Sequence, residues 1–200
     1  MRNKIYCLLM TVTLFACNNA SNDSVDEADS INKANRENAE NSYNDSVGER
    51  MKTLSPTEET ADFLVRAANA TMTEIQLTQL AMDKSSLSSI RSLSKELKKD
   101  HQEMNDQIKR LARERNIALP DMVSNESEKD LTDLRQRSGN DFDKAFIKEI
   151  IDRHDESIRL YENAVSKADA PEVRDFASKC LPALRSHRDK ARDLQDKTWK

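Results

Sequence analysis

From residue 55 onward, apolar residues recur every three or four positions, the spacing of helices that bury one stripe. The first helix opens at "SPTEE". There Ser55 can cap, Pro56 suits the first helical position and Glu58 completes a capping box. It runs to about Lys84 with the stripe Phe63, Ala67, Thr71, Ile75, Thr78 and Met82. "DKSSLSS" turns the chain into a second helix, about Ser88 to Arg115, striped by Ile90, Leu93, Leu97, His101, Met104, Ile108 and Leu111. Asn116 and Pro120 end it. Residues 117–139 form a long connection with a short helix expected near 125–137. A third helix spans about 141–167, carrying Phe146, Ile150, His154, Ile158, Tyr161 and Val165. "ADAP" turns again, and Pro171 opens a fourth, striped by Val173, Phe176, Cys180, Leu184, His187, Ala191 and Leu194. Pro182, inside this last helix, is expected to kink it.

The hairpins repeat. Residues 63–94 align without a gap on 146–177: Phe63 meets Phe146, Ala81 meets Ala164, Arg91 meets Arg174, and turn meets turn. The expected fold is therefore all-α: two helical hairpins joined by a long crossover containing a short helix, the plan of a ferritin-like four-helix bundle.

The N-terminal quarter lacks this pattern. "MRNKIYCLLMTVTLFAC" places Arg2 and Lys4 before a short apolar run, as a secretory signal does. Its end, Leu14-Phe15-Ala16-Cys17, resembles the lipobox of bacterial lipoproteins, which implies that residues 1–16 are removed and that Cys17 carries lipid. Loss of Arg2 and Lys4 takes the net charge from −4 to −6. Cys17 and Cys180 would remain, so no intrachain disulfide is expected. Residues 17–54 are polar, acidic and nearly free of large apolar side chains, and are expected to be a disordered tether. The bundle then occupies 55–200. Asn18 after the cysteine leans toward the outer membrane, facing the periplasm or the cell surface.

Composition supports helices. Charged residues reach 34 %, with only two glycines and four prolines. A net charge of −4 and the absence of nucleic-acid or phosphate-loop motifs argue against nucleic-acid partners. The expected partners are the membrane, through Cys17, and another envelope protein.

The chemistry lies in three histidines, all on core stripes of different helices. Counted at about 1.5 Å per residue, Glu74 and His101 lie roughly 17 and 23 Å from the first hairpin turn. His154 and His187 lie roughly 22 and 28 Å from the second, so all four reach the bundle middle. Three imidazoles and a carboxylate (His101, His154, His187 and Glu74) suit Zn²⁺, and also Fe²⁺ or Mn²⁺ with added water. Asp100, Asp155 and Glu156 flank them as outer partners. Two other readings stand beside this one: histidines that satisfy one another and lock helix register, and Glu74 on a solvated face. No metal-free nucleophile with convincing spacing is present, and enzymatic activity is not the favoured expectation.

"TEIQLTQLAMDKS", "LKKDHQEMNDQIKRLA", "FDKAFIKEIIDRHDESIRLYENA" and "VRDFASKCLPALRSHRDKARDL" together resemble a bacterial envelope family, domain of unknown function 4142, over about 57–196. The resemblance implies a ferritin-like bundle and an envelope location, and matches Glu74, His101, His154 and His187 to recurring polar positions. That family often has Glu where Asp155 stands and Gly where Asn116 stands. Lys98 and Leu184, three residues before His101 and His187, depart from the Glu-x-x-His of di-iron carboxylate proteins, so no such site is expected. Two functions follow: an envelope module holding one transition-metal ion for metal handling or stress protection, or a structural and interaction module without metal.

Overall fold

The computed structural model describes residues 23–41 and 57–199. The signal segment, Cys17, Ser55 and Pro56 lie outside the described residues. Six helices follow in order: α1 (Ser24–Asn41), α2 (Glu58–Lys84), α3 (Ser88–Glu114), α4 (Asn125–Gln136), α5 (Gly139–Lys167) and α6 (Pro171–Trp199). Among the described residues there is no strand, and no helix is long and apolar enough to cross a membrane.

Four long helices make the bundle. α2 packs on α3, α5 on α6, α2 on α5 and α3 on α6. The start of α2 (Phe63, Leu64) shares one apolar cluster with the end of α3 (Ile108, Leu111), the end of α5 (Tyr161) and the start of α6 (Val173, Phe176). The other ends meet in a second cluster containing Leu77, Leu97, Phe142, Phe146 and Ile150. The two hairpin turns therefore lie at opposite ends, and residues 115–138 run the length of the bundle. This is the expected crossover, and the bundle is ferritin-like.

The internal repeat has a structural counterpart. Arg91 donates to the carbonyl of Ser85 at 2.7 Å, and Arg174 donates to the carbonyl of Ala168 at 2.6 Å. Ser85 and Ala168 are the C-caps of α2 and α5, and their N–H groups return to Ala81 and Ala164, the aligned pair. Aligned arginines thus satisfy carbonyls that each helix leaves without an intrahelical partner.

Three local expectations change. Thr57 caps α2, its hydroxyl accepting from the Thr60 N–H at 3.4 Å and donating to Asp169 at 2.8 Å. The buried face of α2 is also rotated: Ile75 and Met82 are only half-buried, while Thr73, Glu74 and Leu77 are inside. Third, a helix, α1, lies within the segment expected to be a disordered tether. Expecting disorder there rests on the lack of large apolar residues, but α1 docks by other means. Its buried residues are small or polar (Ser24, Ala28, Asn32, Ala39). Asn32 acts like a peptide unit, donating to the Ala118 carbonyl at 2.9 Å and accepting from the Ala118 N–H at 2.7 Å. Ser24 donates to Asp121 at 2.8 Å. α1 thus packs on α2 and bonds to the crossover loop, which has backbone groups to satisfy.

Asn116 ends α3 with φ of 53°, a left-handed conformation that asparagine tolerates better than most residues. α6 continues through Pro182. The proline lies on the exposed side, so the Ser178 carbonyl it deprives of a partner faces water.

Candidate metal centre

A polar layer separates the two apolar clusters. Glu74 from α2, His101 from α3, His154 from α5 and His187 from α6 are all 2 % exposed or less. Counting residues from the turns places them at one level, and the structure brings them into contact.

Three ring nitrogens converge. His154 Nε2 lies 3.4 Å from His101 Nε2 and 3.3 Å from His187 Nδ1. All three fall within 4.8 Å of one another. The outer nitrogens are oriented by the fold. His154 Nδ1 is 2.9 Å from the Ile150 carbonyl one turn back, and His187 Nε2 is 3.0 Å from Asp100 Oδ2 on α3. A carbonyl and an ionised carboxylate can only accept, so both outer nitrogens donate. In neutral rings, then, His154 Nε2 and His187 Nδ1 direct lone pairs at each other across 3.3 Å. Such an arrangement holds together with a cation between the nitrogens, either a proton or a metal ion.

Glu74 sits on the far side of His154. Its Oε1 is 3.2 Å from His154 Nδ1, but that N–H is directed at Ile150, so neither carboxylate oxygen has a hydrogen-bond partner. Glu74 is therefore buried beside the triad and is not one of the three converging groups. His101 Nδ1 is likewise buried without a partner.

The charges follow from these positions. Burial disfavours the His154 imidazolium, but the Glu74 carboxylate outweighs it and raises the His154 pKa. Burial also opposes ionisation of Glu74, yet His154 and then His101 hold its carboxyl below the ordinary range. For His101 burial outweighs the pull of Glu74 and, with the charges of His154 and His187, pushes it down to about 4. His187 is lowered by burial and by His154, against the pull of Asp100. Without metal, one proton on His154 answers both Glu74 and the facing lone pair of His187.

Of the other flanking acids, Asp100 orients His187 as expected. Asp155 instead pairs with Arg188 and Arg192 on α6, and Glu156 is exposed. A residue passed over in the sequence is Arg153, which adds positive charge near Glu74 while bound to Asp130 at 2.7 Å and Glu149 at 2.5 Å. Its four-residue spacing from Glu149 on α5 was the available signal. Tyr161 is core, against Phe63 and Phe176, with its hydroxyl unpartnered.

Residues 45–194 match the family described as Domain of unknown function (DUF4142), and the chain belongs to that family. Two solved structures are similar in fold. A DUF305 fragment from Deinococcus radiodurans has a TM-score of 0.65 at 15 % identity, covering 71 % of this chain and 98 % of that one. A DUF305 protein from Streptomyces coelicolor has a TM-score of 0.59 at 10 % identity, covering 69 % and 93 %. No curated protein matches the chain.

Proposed function

We propose that this member of the DUF4142 family binds one transition-metal ion at the centre of its bundle, through His101 Nε2, His154 Nε2 and His187 Nδ1. The observation that carries the reading is the convergence of these nitrogens with the outer nitrogens of His154 and His187 already committed as donors. That commitment leaves lone pairs for a metal, and such outer partners are a regular feature of histidine ligands. The spacing agrees. Metal–nitrogen bonds of about 2.0–2.1 Å give a tetrahedral edge of about 3.3–3.4 Å, and the two short nitrogen–nitrogen distances are 3.3 and 3.4 Å. Three imidazoles favour Zn²⁺, with Fe²⁺ or Mn²⁺ if further ligands are added. Glu74 would supply charge compensation from outside the ligand set.

The role we assign is metal handling or stress protection in the cell envelope, with anchoring through lipidated Cys17 at the outer membrane. The basic start, short apolar run and Leu-Phe-Ala-Cys at residues 14–17 support the anchor.

The test is the metal content of the protein purified from a bacterial envelope without a histidine tag. Near-stoichiometric metal, lost in His154→Ala, is the expected result. A protein that is empty and also ignores added Zn²⁺, Fe²⁺, Mn²⁺ and Cu²⁺ would overturn it. The second reading, an interaction module without metal, would then stand on the Glu74–His154 pair, in which a proton on His154 balances the buried carboxylate.

A further inference from the structure

One face of the bundle opens into a cleft of about 620 Å³ between α1, α2, α4 and α5. Its lining is strongly acidic, eight carboxylates against two guanidiniums. Asp26 of α1, Glu126 of α4 and Glu156 of α5 are exposed around it. The cleft reaches inward to Glu74, 1 % exposed, whose two oxygens have no hydrogen-bond partner and whose Oε1 touches His154. Arg153 lines the cleft too, but Asp130 and Glu149 engage its guanidinium.

We propose that this cleft is the entrance by which a divalent cation reaches the histidine triad, with Glu74 as the carboxylate that receives it from the cleft. The inference rests on the triad reading above. A concave surface of one sign concentrates oppositely charged ions and raises their rate of entry. A buried carboxylate without hydrogen bonds is costly to leave so, and an arriving cation is a partner of the right charge. On the opposite approach the carboxylates are occupied: Asp100 bonds to His187, and Glu96 to Lys190. Glu74 is the acid beside the triad whose oxygens accept no hydrogen bond, with His154 as its charge partner. The triad offers three nitrogens to hold the ion, while Glu74 offers one carboxylate on the route. The cleft should therefore govern how fast metal enters more than how tightly it is held.

The test is stopped-flow loading of Co²⁺ into the metal-free protein, followed by visible absorption at low and physiological ionic strength. Three variants are compared with the unaltered chain: Asp26→Asn/Glu126→Gln/Glu156→Gln at the exposed rim, Glu74→Gln, and Glu96→Gln on the opposite face. Expected is a loss of about tenfold or more in entry rate for the rim variant at low salt, with its salt dependence flattened and the dissociation rate unchanged. Glu74→Gln should load slowly at both salt concentrations, and Glu96→Gln should load normally. A rim variant that loads as fast as the unaltered chain, or slowing confined to Glu96→Gln, would overturn the entrance while leaving the triad standing. An unaltered chain that takes no Co²⁺ would overturn the triad, and the entrance with it. The rim positions are exposed, so that variant keeps the test decisive even if Glu74→Gln fails to fold.

Discussion

Replacing His101 with Leu in the metal-free protein should flatten the acid limb of its stability curve. His101 titrates near 6.5 when unfolded and near 4 in the bundle, because burial disfavours its charged form. Its contribution is complete above pH 6.5 and is lost as pH falls toward 4, where the unfolded chain takes up a proton that the folded chain refuses. The depression corresponds to about 3 kcal/mol, most of it gone by pH 4.5. The window is favourable. His154, whose pKa is raised, gives stability that is complete below 6.5 and is lost only as pH rises through its folded value, so it adds no slope here. Glu74, whose pKa is lowered, begins to lose its contribution only near and below 4.5. His187, lowered like His101, keeps part of the slope in the variant. At pH 7 the variant should match or exceed the parent, because His101 Nδ1 is buried without a partner and leucine has no such group. Urea unfolding at pH 7, 6.5, 5.5 and 4.5, with chelator present, measures both. A variant that loses stability between pH 6.5 and 4.5 as steeply as the parent would refute the reasoning.

Adding Zn²⁺ at 100 times its Kd should stabilise the protein by about 2.7 kcal/mol, seen as a rise in Tm that His154→Ala abolishes. Binding should weaken as pH falls through the raised pKa of His154, because the metal displaces its proton; calorimetry across pH would show the linked proton release. Asn32→Ala should remove both bonds to Ala118 and weaken the docking of α1 by about 1–3 kcal/mol, read as faster hydrogen exchange over 24–41 with the bundle unchanged. Cys180, its thiol pushed up to about 12 by burial, should resist alkylation at pH 8 until the protein is unfolded.

The level of the polar layer was legible in the sequence because helical rise and two hairpin turns set the heights of His101, His154 and His187. Their rotation was less firmly set: each shares a stripe with core residues such as Leu97, Ile150 and Leu184, but charged neighbours of His101 and His187 left a small turn toward solvent open. Glu74 was harder. The α2 stripe is built from alanine and threonine, which tolerate either side of a helix, so Ile75 drew the expected core face away from it. The α1 helix was not legible at all. Its stability comes from Asn32 and Ser24 meeting backbone and side-chain groups of residues 118–121, more than eighty positions along the chain. Local composition holds no trace of such a partner. The convergence of ring nitrogens likewise depends on Ile150 and Asp100 setting each ring's orientation, which spacing alone does not specify.

The docking of α1 also has a mechanical consequence. Any tension applied from the N-terminal side reaches α1 before it reaches a bundle helix. α1 is held by small side chains and a few hydrogen bonds, while the bundle is held by buried phenylalanines and leucines. Under load, α1 would peel away well before the bundle yields. Its departure would carry off Asp23, Val25 and Asp26 and leave the acidic cleft without one of its walls.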